Sequence, residues 1–173
     1  MNREMPPKMA SYVEMFRAME RSERINALIE LGEKFREVPP SVAARPFPED
    51  RRVPNCESEA FVFWEERPDG TLKFHFAVEN PQGISARAAA VLLDRGLSGA
   101  PLEQVLAVPG DVMYEIFGRE LSMGKNMGLT DLVNACKAAA ASTLARRRGA
   151  ETGEPKPSQS EPSAPPASAP DGH

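Results

Sequence analysis

The stretch Ala60–Val78, AFVFWEERPDGTLKFHFAV, decides the architecture. In its second half Leu72, Phe74, Phe76 and Val78 alternate with Lys73, His75 and Ala77, the period of two that turns one face of a strand into a core. Its first half, Ala60-Phe61-Val62-Phe63-Trp64, is dense in strand formers, and Arg67-Pro68-Asp69-Gly70 between the halves supplies turn chemistry. The two runs read as an antiparallel hairpin.

Outward from the hairpin the periodicity changes to that of helices. Upstream, Tyr12, Met15, Phe16 and Met19 recur at i, i+3, i+4 and i+7, an apolar stripe on a short helix. A second helix follows, with Ser22 as its N-cap and Ile25, Leu28, Ile29 and Phe35 as its buried face, until Pro39 and Pro40 stop it. Ser41 to Pro54 is a long loop. Downstream, Ser85 caps Ala86 to Asp94, Pro101 opens a helix bearing Leu102, Val105 and Leu106, and Asp111 caps Val112 to Phe117. The closing helix spans about Met127 to Arg148, with Leu129, Leu132, Val133 and Cys136 on one face and Arg146 to Arg148 where the helix dipole favours cations. The order helix–helix–hairpin–helices predicts an α+β fold in one domain, residues 1–148. Residues 149–173 are mostly Pro, Ser, Ala, Gly and Glu, which bury too little to offset their ordering entropy, and are expected to form a disordered tail.

Composition narrows the function. With 173 residues, 41% hydrophobic content and a formal charge of -4, the chain can build a core but does not offer the clustered cations that phosphate backbones require. A protein partner or small molecule is expected rather than nucleic acid. No run approaches the roughly 20 apolar residues that span a bilayer, and the N-terminus lacks an apolar signal region, so a cytosolic location without membrane attachment is expected. Two cysteines without a secretory signal point to free thiols.

Those two cysteines occupy different contexts. Cys136 lies within an apolar helical stripe and reads as packing. Cys56 follows Val53-Pro54-Asn55 at the mouth of the hairpin, a loop tip where a thiol can be presented to another macromolecule. Arg51 and Arg52 favour its thiolate, whereas Glu57 and Glu59 oppose it. His75 alternates with the buried face of its strand and reads as solvent-facing. Neither it nor His173 completes a zinc set with the cysteines, and no GxGxxG or Walker motif occurs.

Five blocks in order now carry a resemblance to the SufE family of sulfur acceptors. Arg24 to Phe35, RINALIELGEKF, is similar to the family's helix with a "LIELG" core, and Val53 to Glu59, VPNCESE, to its "V.GCQSQ" cysteine loop. Phe61 to Glu66 and the Asp69-Gly70 turn match the hairpin, Ala86 to Gly99 the following helix, and Gly128 to Ala138, GLTDLVNACKA, the closing "RxxGL" helix. Asn55 stands where the family has Gly, Glu57 and Glu59 where it has glutamines, and Lys125 where it has the Arg of "RxxGL".

The resemblance implies a small antiparallel β-sheet packed against several helices, a SufE/IscU-like arrangement. It implies that Cys56 takes a persulfide from a SufS-type cysteine desulfurase and hands it to an iron–sulfur scaffold, with no cofactor beyond the transient persulfide. Arg51, Arg52, Asn55, Glu57, Ser58 and Lys125 would bind the partner or support the loop, whose tip between Pro54 and Ser58 would be flexible. A peroxide-sensing thiol and an adaptor with an incidental cysteine are the alternatives the residues leave open.

Overall fold

Two strands pair along their whole length, one dense in aromatic and β-branched residues at 61–64 and the other alternating apolar with polar or small side chains. In the computed structural model, which describes residues 4–118 and 121–153, β1 (Ala60–Glu66) and β2 (Leu72–Val78) are antiparallel in the register Ala60↔Val78 through Glu66↔Leu72. The Asp69 carboxylate closes the turn by accepting from the backbone N–H and hydroxyl of Thr71.

The hairpin is buried on both faces, where the alternation in β2 predicts one. Val62, Leu72, Phe74, Phe76 and Val78 join the main core, as expected. On the opposite face Phe61, Phe63 and Ala77 are covered by Val38 and by Val42, Ala43 and Phe47 from the long connection. Phe47 sits 5.2 and 5.4 Å from the Phe61 and Phe63 rings. His75, expected to face solvent, has a side chain only 13% exposed, with Nε2 2.8 Å from Glu65 Oε2. A loop can bury a strand face without leaving any periodic signature of its own, which is why the sequence does not show it.

Six helices complete the described residues: α1 (Pro7–Arg17), α2 (Arg21–Glu33), α3 (Ile84–Leu97), α4 (Leu102–Leu106), α5 (Val112–Phe117) and α6 (Met123–Thr152), with one 3-10 turn at Glu49–Arg51. The fold is thus α+β, a two-stranded sheet against helices, as the sequence predicts. The centre is α3. Ala86, Ala88, Ala89, Ala90, Leu92, Leu93 and Leu97 are all buried, so the helix is apolar nearly all round, the pattern of a helix enclosed by others. Its alanines let α1, α2, β2 and α6 approach closely.

Several boundaries and faces differ from expectation. In α1 Phe16 is buried as expected, together with Met9 and Val13, and Tyr12 packs against the core, as does Met19 just beyond the helix, but Met15 is 50% exposed. In α2 the buried residues are Leu28, Leu31 and Gly32, while Ile25 and Ile29 are 46% and 41% exposed. That helix starts after Glu20, with Ser22 inside its first turn, and ends at Glu33, well before Pro39. Ser85 likewise lies inside α3, whose N-cap is Gly83. Asp111 does occupy the N-cap of α5, but without a side-chain hydrogen bond.

The last helix is the longest. It begins four residues earlier than predicted, where the Ser122 hydroxyl accepts from the Lys125 N–H at 3.3 Å, and it continues through residues 149–152. The rest of the segment expected as a tail, 154–173, lies outside the described residues. Arg146 and Arg147 are not terminal cations. Both reach the Glu66 carboxylate, and Arg147 also donates to the Gly70 carbonyl at 3.0 Å, which ties the helix to the hairpin turn. Among the described residues no helix is long and apolar enough to cross a membrane.

The α2 faces separate by mutation. Leu31→Ala is expected to cost about 2 kcal/mol or more in urea denaturation, and Ile29→Ala, on the exposed side, less than about 1 kcal/mol. Equal losses would contradict this orientation.

Candidate functional site

Cys56 stands at the head of a turn closed by hydrogen bonds at its base. The Val53 N–H donates to the Ala60 carbonyl at 2.8 Å, and Arg52 bridges Phe61 just outside, so the chain enters the turn as a short extension of the β1 ladder. Inside, the Glu59 N–H donates to the Cys56 carbonyl at 3.1 Å. The descending arm is held to the end of β2, where the N–H groups of Glu79 and Asn80 donate to the Glu59 and Ser58 carbonyls, each at 3.1 Å. Reversing the chain within so few residues requires left-handed backbone at Asn55 (φ 56°) and Glu59 (φ 51°). Asn takes that conformation readily and Glu does not, so the second position stores strain of order 1 kcal/mol. The turn is thus tied at its base and along its descending arm.

The ascending arm rests on α6. Asn55 Nδ2 donates to Asp131 Oδ2 at 2.8 Å. One turn of helix earlier the two backbones nearly touch: a Cβ on Gly128 would lie 3.0 Å from the Asn55 carbonyl oxygen and 3.1 Å from Cys56 Cα. At Gly124 the corresponding neighbour is Glu57 Oε1, at 3.8 Å. Gly124, Gly128 and Asp131 therefore form one stripe at i, i+4 and i+7 facing the cysteine turn, while Leu129, Leu132, Val133 and Cys136 of the same helix face the core.

The Cys56 thiol is half-buried, packed against the edge of the main core and opening on a surface depression of about 620 Å³. Arg52, Asn55, Glu57 and Met127 line the same depression. Arg52 lies 3.8 Å from Glu59 and 4.0 Å from Glu49, exposed pairs worth little in stability but sufficient to divide its charge between two carboxylates. Cys136 contrasts fully. It is buried, and loss of hydration, with the Asp94 charge acting in the same direction, pushes its pKa well above the usual thiol range, so it is a neutral thiol. Among the described residues no group of three or more His, Cys, Asp and Glu side chains could hold a metal ion.

The residues singled out in the sequence divide into three groups. Arg52, Asn55 and Glu57 gather with Cys56, and Ser58 holds the descending arm through its carbonyl. Arg51 turns away, its guanidinium 4.1 Å from the centre of the Trp64 ring. Lys125, on the first turn of α6, lines a separate groove with Arg17 and Arg24 rather than the thiol's depression. Sequence reasoning missed Gly128 and Asp131. The signal available was the placement of Gly124, Gly128 and Asp131 along one line of a helix whose apolar residues occupy another.

A family model described as SufE, Fe-S metabolism associated domain, matches residues 10–140. No curated protein matches the chain. Among solved structures, the solution structure of a hypothetical protein from Thermus thermophilus superposes with a TM-score of 0.67 at 26% identity, over 82% of this chain and 98% of that one.

The contact at Gly128 gives a paired expectation. Ala in place of Gly within a helix ordinarily stabilises by about 0.4–1 kcal/mol, and Gly124→Ala should show such a gain in denaturation midpoint. Gly128→Ala should lose the gain or destabilise, because its Cβ meets the backbone of the tied turn. A stabilised Gly128→Ala would show that turn and helix are not in contact.

Proposed function

The chain belongs to the SufE family, and from that membership we propose that it is the sulfur acceptor of a SufS-type cysteine desulfurase, carrying a persulfide on Cys56 toward an iron–sulfur scaffold. Its association with Fe-S metabolism is the family's. What supports the finer reading is the difference between its two thiols: Cys56 opens on a surface depression at a loop tip, and Cys136 is enclosed and held neutral.

The chemistry is thiol exchange. The Cys56 thiolate attacks the outer sulfur of a persulfide on the desulfurase cysteine; the new S–S bond forms to Cys56 as the old one breaks. The desulfurase cysteine leaves as thiolate and the terminal S–H travels with the transferred sulfur, so no external oxidant or reductant is consumed. Attack by a second thiolate at the outer sulfur, on the recipient, repeats the step and restores Cys56. The acceptor's tasks are to present sulfur, to admit only a fitting partner and to keep the persulfide from stray thiols, which suits a half-buried cysteine better than a fully exposed one. Arg52, Glu57 and Met127 at the rim are the side chains a partner meets first. We place the exchange in the cytosol, where free cysteines persist.

Mass spectrometry after incubation with desulfurase and cysteine tests this. The wild-type chain is expected to gain about 32 Da, one sulfur atom, on the peptide that contains Cys56, and to accelerate cysteine turnover by the desulfurase. Cys56→Ser should lose both, and Cys136→Ser should keep the adduct while melting at lower temperature. An adduct retained by Cys56→Ser would refute the assignment; stimulation retained without an adduct would make the chain an adaptor.

A further inference from the structure

Presenting a thiol to another protein's reaction centre conflicts with packing that thiol against one's own core, so the turn that carries Cys56 has to be held in a way that can be undone. Its two arms are held differently. The descending arm and the base are fastened by main-chain hydrogen bonds to β1 and β2, from Val53 to Ala60, Glu79 to Glu59 and Asn80 to Ser58. Opening these would unravel the end of the hairpin. The ascending arm meets α6 through one exposed side-chain hydrogen bond, Asn55 Nδ2 to Asp131 Oδ2, and through van der Waals contact of Asn55 and Cys56 with Gly128. Neither contact involves the main-chain ladder, and the absence of a side chain at Gly128 means that nothing interlocks.

We infer that Asp131 is a positioning residue that latches the Cys56 turn onto α6, and that release of this latch is the step by which the thiol becomes presentable to a partner's persulfide. The inference rests on the reading of Cys56 as the sulfur acceptor. Three features of the pair favour a latch over a permanent tie. The hydrogen bond joins residues 76 positions apart, so it reports the docking of two elements rather than a local turn. It is exposed, so water or a partner's polar group can replace either half without leaving a buried group unsatisfied. It pulls on the residue immediately before the cysteine, and Asn55 already has the left-handed backbone that sets the direction of Cys56. In the latched state the thiol lies half-buried beside Gly128; in the released state the ascending arm swings away from α6 about the fastened base. A partner that binds only the released form pays for the latch in apparent affinity, in proportion to the fraction of molecules already open.

Alkylation of Cys56 in the full chain by iodoacetamide under native conditions, followed by mass spectrometry of the peptide that carries it, reads the open fraction without any desulfurase. Asp131→Ala, and separately Asn55→Gly, which keeps the positive φ and removes the amide, are each expected to accelerate labelling by about three- to tenfold, the factor that corresponds to the net contribution of one ordinary exposed hydrogen bond. The double variant should be no faster than the singles. Asp131→Asn, whose carboxamide oxygen can still accept from Asn55, should stay near the wild-type rate. Unchanged labelling in Asp131→Ala overturns the latch. Equal acceleration in Asp131→Asn also overturns it, since the carboxylate would then act through its charge on the thiolate. With a desulfurase present, Asp131→Ala should lower the apparent KM for the acceptor by a similar factor and leave kcat unchanged; an unchanged KM overturns the positioning role. A wild-type chain that accepts no sulfur removes the sulfur-acceptor reading instead, and the labelling rates still decide the latch.

Discussion

Backbone meets backbone where the cysteine turn crosses α6, and the geometry of the site follows from that contact. With Gly128 in place, the turn lies so near the helix that an added Cβ would come within 3.0 Å of the Asn55 carbonyl oxygen and 3.1 Å of Cys56 Cα. Any side chain there would press on the turn's backbone and require it to give by a few tenths of an ångström. The site is therefore not a property of the loop alone; it is made by a loop and a helix that lie more than 70 residues apart in the chain.

For α6 to offer that surface it has to be fixed at both ends. Its apolar face, Leu129, Leu132, Val133, Cys136, Ala139 and Ala140, is buried along several turns, and its distal arginines grip Glu66 and the Gly70 carbonyl at the tip of the hairpin. The hairpin in turn carries the cysteine turn at its other end. Helix and hairpin thus touch at both ends, once through cations on the β-turn and once through the glycine stripe under the cysteine. Between these two points Phe47 covers Phe61 and Phe63 of the first strand.

The proposed role asks for a nucleophile that is reachable and yet protected. Full burial, as at Cys136, suppresses the thiolate and closes access. Full exposure would offer a persulfide to every passing thiol. A half-buried thiol in a shallow depression, on a turn fastened firmly along one arm and lightly along the other, lies between these limits. Glu57 on the rim, and Glu59 beside Arg52, give the surroundings of the thiol mixed charge, which bears on partner choice.

Much of this was legible in the chain. The alternation in Leu72–Val78 and the turn chemistry at Asp69-Gly70 set the hairpin, the apolar face of α6 placed Cys136 in the core, and the position of Cys56 before β1 placed it on a turn, because local periodicity and turn propensity are carried by neighbouring residues. Which isoleucines of α2 face outward was not legible, since Ile25, Leu28, Ile29 and Leu31 permit more than one apolar stripe and only the packing of α3 selects among them. Nor was the second covered face of the hairpin, which is buried by an aperiodic connection. The same holds for Asp131 and Gly128: their alignment with Gly124 can be read along the helix, but what that line touches is settled only when folding brings the cysteine turn across it. Sequence determines what each segment can become, through interactions a few residues long; the tertiary structure decides what each surface touches, because those contacts depend on how whole elements pack.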